Sequence, residues 1–154
     1  MPRVQRTATA AWEGNVARGT GQLSTESGVL REAPFSLPAR IGNESGKTNP
    51  EELLGAAHAG CLAMSLANQL AQAGTPPERL EVRATVVLDE VNGSHRIVAS
   101  HVEIQGRVPD SDDASFRRAV EEADEGCTFS ALIRASAEVT VEAQLSSERV
   151  GAAG

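Results

Sequence analysis

"TNPEELLGAAHAGCLAMSLANQL", residues 48–70, decides how the chain is read. Its start predicts a helix: Thr48 or Asn49 supplies a cap, Pro50 suits the first position, and Glu51 and Glu52 complement the dipole. Gly74, followed by Pro76 and Pro77, ends it. Leu53, Leu54, Ala56, Ala57, Ala59, Leu62, Ala63, Met64 and Leu66 leave almost no polar face until Asn68 and Gln69. A helix of that kind is buried on more than one side. Either a sheet wraps it or a second chain covers it. Near its middle sits Cys61, one of only 2 cysteines; the other is Cys127.

Downstream, "EVRATVVLD" (81–89) alternates Val82, Ala84, Val86 and Leu88 with Glu81, Arg83 and Asp89, a strand with one wet face. "RIVASHVEIQGRV" (96–108) repeats the pattern, with Val98, Val102, Ile104 and Val108 inward against Ala99, His101, Glu103 and Gln105. "VNGS" (91–94) joins the two as a hairpin turn. "SDDASFRRAVEEADEG" (111–126) is an amphipathic helix capped by Ser111, with Phe116, Ala119, Val120 and Ala123 as its stripe. Gly126 stops it immediately before Cys127. "TFSALIRAS" is a short helix, and "AEVTVEAQL" a last strand with Ala137, Val139, Val141, Ala143 and Leu145 inward.

Upstream, the first forty residues form a meander of short strands punctuated by Gly14, Gly19, Gly21 and Gly28, and "GNESGKTN" (42–49) is a loop. The layout is α+β: antiparallel sheets with helices against one face. A chain of 154 residues is expected to form one domain, residues 1–145, with a fraying tail, 146–154.

The net charge of −7 comes from interspersed acids and bases, which argues against a nucleic-acid or anionic-membrane footprint. Aromatics make up only 3% of the chain (Trp12, Phe35, Phe116, Phe129), too few for base-stacking platforms. No apolar run reaches the ~20 residues of a membrane span, and none has signal-peptide character. A cytosolic chain is expected, where two cysteines stay reduced unless they react.

A free cysteine often acts as a small buried hydrophobe. Cys127 differs because it stands at a helix junction where a side chain can be exposed, and the amides of a helix beginning there would favour a thiolate. Cys61 needs help to react, because an ordinary thiol of pKa ~8.5 is only about 3% ionised at neutral pH. An arginine is the expected source, although spacing alone does not choose which.

Over residues 12–145 the chain resembles the OsmC/Ohr family (osmotically inducible protein C and organic hydroperoxide resistance proteins), its OsmC-type members more than its Ohr-type ones. "WEGN" (12–15), "RGTGQLSTESGVL" (18–30), "ARIGNESGKTNPEELLGAAHAGC" (39–61) and "DEGC" (124–127) carry the resemblance. It implies an OsmC-like fold built on a long buried central helix, an intertwined homodimer, and a thiol peroxidase that needs no cofactor and no metal. Cys61 matches the peroxidatic cysteine and Cys127 the resolving one. Arg40 matches the arginine that OsmC-type members place on the thiolate, and Glu51 the carboxylate that holds it. Thr128 follows Cys127 where the family often has proline. The implied partners are an organic hydroperoxide, or hydrogen peroxide, and a dithiol reductant of lipoyl type. Leu62, Met64, Phe129 and Leu132 would form an apolar neighbourhood suited to organic peroxides.

Glu51 and Cys61 lie ten residues apart, about 15 Å along a straight helix and about 80° around it. They cannot share one arginine on an unbroken helix. Either the helix breaks near Gly55 or Gly60, or the groups come from two chains; the two-chain arrangement is favoured. His58 lies within reach of Cys61 as a base, or simply packs; with His95, His101 or Cys127 it matches no metal spacing. The rival to an enzyme is a non-catalytic dimeric module that binds an apolar ligand or senses redox state.

Overall fold

A computed structural model of the chain describes residues 3–146; the expected tail lies outside them from residue 147 on. Two compact units divide the chain at Leu53/Leu54.

The first unit holds an antiparallel sheet of β1 (Ala8–Glu13), β2 (Thr20–Thr25) and β3 (Ala33–Phe35), in that order. Trp12 packs against Phe35 with the rings tilted by 49° and their centroids 5.4 Å apart, and a Cβ on Gly21 would run into both rings. A short helix, α1 (Leu37–Ile41), follows. It falls where the meander of short strands was expected to continue. Ser36 starts it by accepting the Ala39 N–H at 3.3 Å, and Pro38 sits in its first turn, the positions both residues favour.

Helix α2 (Pro50–Gln72) runs through 23 residues without a break, so the expected alternative of a break at Gly55 or Gly60 is eliminated. Asn49 is the cap, its Oδ1 accepting the Glu52 N–H at 2.8 Å. Gly74, at φ +78°, closes it: the Thr75 N–H reaches the Leu70 carbonyl and the Gly74 N–H that of Ala71, the paired bonds of a Schellman end.

The second unit holds a sheet of β4 (Arg79–Val91), β5 (Ser94–Arg107) and β6 (Glu138–Leu145). β4 and β5 form the expected hairpin, with Asn92 and Gly93 both at positive φ in a two-residue turn. A bulge pairs Leu88 with Ile97 and Val87 with Ala99, leaving Val98 as the extra residue. It switches the alternation of β5, so Ala99 is buried rather than outward. β6 pairs with β5 in parallel, so the sheet is mixed, not antiparallel as expected. The crossover through α3 (Asp113–Gly126) and α4 (Thr128–Arg134) is long enough to return the chain in the same direction. Asp112 caps α3 through the Ser115 N–H at 2.7 Å, one residue later than the expected Ser111.

The core of this unit lies between the sheet and the helices. Leu62, Leu66 and Leu70 of α2 meet Val102 and Ile104 of β5 and Phe116, Ala119, Val120 and Ala123 of α3. Each buried leucine contributes about 1.5–3 kcal/mol. Gly55 admits the helix onto the sheet, for a Cβ there would lie 3.2 Å from the Ala84 carbonyl. The opposite side of α2 exposes Ala56, Gly60, Met64 and Asn68, so within one chain the helix is covered on one side only.

Candidate active site

In the first unit, α1 delivers Arg40 and the first turn of α2 delivers Glu51. The guanidinium binds the carboxylate through Nε, at 3.1 Å to both oxygens, and Nη2, at 2.6 Å to Oε1. That fork fixes the planar cation and leaves Nη1 outside the pair. The hydrogen bond to Glu51 pushes the Arg40 pKa up, against the opposing effect of burial. Beside Arg40 lies a pocket of about 220 Å³ lined by Trp12, Val16, Phe35, Ser36, Leu37 and Pro50, mostly apolar, with the guanidinium and Ser36 as its polar members. Arg40 and Glu51 thus form one ion pair at the edge of this pocket.

In the second unit, the two cysteines meet. Cys61 projects half-buried from α2, and Cys127 sits at the α3–α4 junction. Burial pushes the Cys61 thiol up, but hydrogen bonds from the Thr128 hydroxyl, the Phe129 N–H, the Cys127 thiol and the Thr128 N–H outweigh it, and its pKa falls below the ordinary value. The Thr128 Oγ1 lies 3.5 Å from the Cys61 sulfur. Within this unit, then, backbone amides and a hydroxyl favour the thiolate. An arginine is the source the sequence suggests; these donors come instead from Thr128 and Phe129, which open a helix immediately after the second cysteine.

Cys127 is only 1% exposed, so the junction does not open its side chain to solvent. It ends one helix and starts the next: its N–H bonds the Asp124 carbonyl, its carbonyl accepts from Ala131, and its sulfur accepts the Ser130 N–H at 3.5 Å. That double capping encloses the thiol. Gly126 is the last residue of α3; the turn itself is made by Cys127, whose backbone is extended.

His58 is fully buried, with Nδ1 2.8 Å from Ser100 Oγ and Nε2 2.8 Å from Ser130 Oγ. Burial lowers its pKa, Asp124 raises it, Arg134 lowers it, and the net is below the ordinary value. Both ring nitrogens are thus occupied by serines, and the ring is not hydrogen-bonded to Cys61. Of the other histidines, His101 bonds Thr140 across the sheet. Among the described residues, no three His, Cys, Asp or Glu side chains gather as metal ligands, and no helix is long and apolar enough to cross a membrane. Of the expected apolar neighbours, Leu62 is core while Met64 and Leu132 are largely exposed.

Residues 42–142 match the family model described as OsmC-like protein. Peroxiredoxin OsmC of Escherichia coli (strain K12) is 39% identical over 144 residues, covering 94% of this chain and 99% of that protein. The organic hydroperoxide resistance protein of Xanthomonas axonopodis pv. citri (strain 306) is 28% identical over 137 residues, covering 88% and 89%. Among solved structures, the organic hydroperoxide resistance protein OhrB of Bacillus subtilis aligns with a TM-score of 0.69 at 25% identity, over 90% of this chain and 98% of that one. An OsmC-like protein of unknown function from Vibrio cholerae aligns with a TM-score of 0.75 at 14% identity, over 92% and 100%, a likeness of fold alone. With the family model spanning most of the sequence and a relative this similar along nearly all of it, the chain belongs to the OsmC-like protein family.

Proposed function

We propose that the protein is a thiol-dependent peroxidase that reduces organic hydroperoxides, and hydrogen peroxide less well. One observation carries the reading: Cys61, a half-buried thiol of lowered pKa, is packed against the cluster that holds the second thiol, Cys127. The names of the relatives, a peroxiredoxin and organic hydroperoxide resistance proteins, support the same chemistry.

The Cys61 thiolate attacks the O–O bond, which breaks as the S–O bond forms; the alkoxide takes a proton and leaves as alcohol. Cys127 condenses with the sulfenic acid, water leaves, and a disulfide remains. An external dithiol reduces it by exchange; the resemblance to the family suggests a lipoyl-type reductant. Arg40, oriented by Glu51, donates to the peroxide oxygens and steadies the thiolate. The apolar pocket beside Arg40 suits the carbon chain of an organic hydroperoxide.

Because α2 is unbroken, Glu51 and Cys61 stand about 15 Å apart along it, which favours a homodimer whose protomers exchange Arg40 and Glu51. The exposed outer side of α2, with Ala56, Gly60 and Met64, supports that assembly.

The test is dithiol-driven consumption of an organic hydroperoxide by the wild-type protein and by Cys61→Ser. Activity confined to the wild type is expected. Equal rates would leave the non-catalytic, ligand-binding module as the better reading.

A further inference from the structure

The mechanism leaves one buried titratable group unused. His58 joins three elements: it stands on α2, its Nδ1 meets Ser100 on β5, and its Nε2 meets Ser130 on α4. Ser130 is held from both ends, its hydroxyl by the imidazole and its N–H by the Cys127 sulfur. Resting on the peroxidase reading, the geometry points to His58 as a positioning residue for the resolving thiol, acting through Ser130 on disulfide formation rather than on peroxide reduction.

A neutral imidazole has one donor and one acceptor nitrogen, and two serine hydroxyls satisfy both. That pairing leaves no ring nitrogen for Cys61, so His58 takes no proton from the first thiol. Its influence passes to Cys127 instead. Helix α4 has only seven residues, too few to persist by helical propensity alone, and the sulfur of Cys127 is the cap at its start. Pinning Ser130 in the first turn holds that cap, and with it Cys127, beside Cys61.

Resolution makes that placement matter. Cys127 gives up its proton and its sulfur bonds to the Cys61 sulfur. The S–O bond breaks, and the departing hydroxide takes up a proton to become water. Cys127 is oxidised and the sulfenic sulfur reduced, so no further oxidant is needed. The two Cα atoms must come within about 4.4–6.8 Å, a distance that a frayed α4 would lose.

The experiment mixes reduced protein with one equivalent of organic hydroperoxide and follows peroxide loss and disulfide formation separately by rapid quench and mass spectrometry. His58→Leu and Ser130→Ala should consume peroxide within about twofold of wild type while forming the disulfide about tenfold more slowly, the scale of one lost buried hydrogen bond. His58→Gln, which keeps a donor and an acceptor, should recover much of the second rate. An unchanged disulfide rate in Ser130→Ala, or equal slowing of both steps, overturns the proposal; Ser130→Ala removes only a hydroxyl and carries the test if His58→Leu does not fold. Wild-type protein that consumes no more peroxide than Cys61→Ser would overturn the peroxidase reading itself, and this one with it.

Discussion

The Cys127 thiol lies beside Cys61, close enough to draw its pKa down. The contact joins the middle of a long helix to the junction of two later ones, and it exists before any oxidant arrives. A thiol placed there serves twice. It helps hold its neighbour ionised, and it stands ready to attack once that neighbour is oxidised.

The first prediction concerns ionisation. Because hydrogen-bond donors outweigh burial at Cys61, its alkylation rate should rise with pH along a curve whose midpoint lies below that of an ordinary thiol. Thr128→Val removes the hydroxyl donor while nearly preserving shape, and should move the midpoint upward. A pH profile of iodoacetamide modification, read at the Cys61 peptide by mass spectrometry, measures this. A midpoint unchanged by Thr128→Val would take the hydroxyl out of the account.

The second concerns the clamp. Glu51→Gln keeps the size of the side chain but removes the charge that fixes Arg40. Loss of orientation in a charge-assisted contact is worth about 10- to 100-fold in kcat/KM. Arg40 is 40% exposed along its side chain, so salt screening should place the effect toward the lower end. Steady-state peroxide kinetics at two ionic strengths measure it.

How much of this was legible beforehand depends on the range of each signal. Asn49, Pro50, Gly74 and the alternation of Val82 through Leu88 act locally, and their elements formed as expected. β6 was recognised as a strand but not as a parallel one, since direction depends on the crossover rather than on Val139 or Val141. Arg40 was singled out by resemblance while the helix that carries it went unseen, because five residues show no period. Ser100 and Ser130 carry no signal at all. Their role exists only because folding brings them to the two nitrogens of His58.

The third prediction is a stability slope. His58 is buried with its pKa lowered. On unfolding it regains the ordinary value near 6.5, so below that pH the unfolded chain binds a proton that the folded chain refuses. Stability should therefore be fully present above about 6.5 and fall as the pH drops, by at most about 1.4 kcal/mol per pH unit from this group. Thermal unfolding at several pH values between 7.5 and 5, compared with His58→Gln, isolates the contribution. The variant should show the shallower slope.

A fourth prediction concerns packing. Gly106 lies on β5 against the core, and a Cβ there would sit 2.5 Å from Phe116 Cζ and 2.7 Å from Cε2. Phe116 is itself buried and has little room to retreat, so Gly106→Ala should cost about 1–3 kcal/mol by overpacking. Urea denaturation measures the loss. Gly60, with nothing within 4 Å of its Cβ position, gives the contrast within one chain.

The last prediction separates one chain from two. If Arg40 and Glu51 of one protomer serve Cys61 of the other, Cys61→Ser and Arg40→Gln are each defective alone but complement one another. In a mixed dimer, the Arg40→Gln protomer contributes an intact Cys61 and the Cys61→Ser protomer an intact Arg40, so one site of two is whole. Random pairing makes half of the dimers mixed, and co-expression should then restore about a quarter of wild-type activity. An arginine acting within its own chain gives no such rescue, because every Cys61 present would face a lost Arg40. Purifying the mixed dimer through two different affinity tags makes the comparison direct: about half of wild-type activity per dimer if the groups are exchanged, and only the residual rate of Arg40→Gln if they are not.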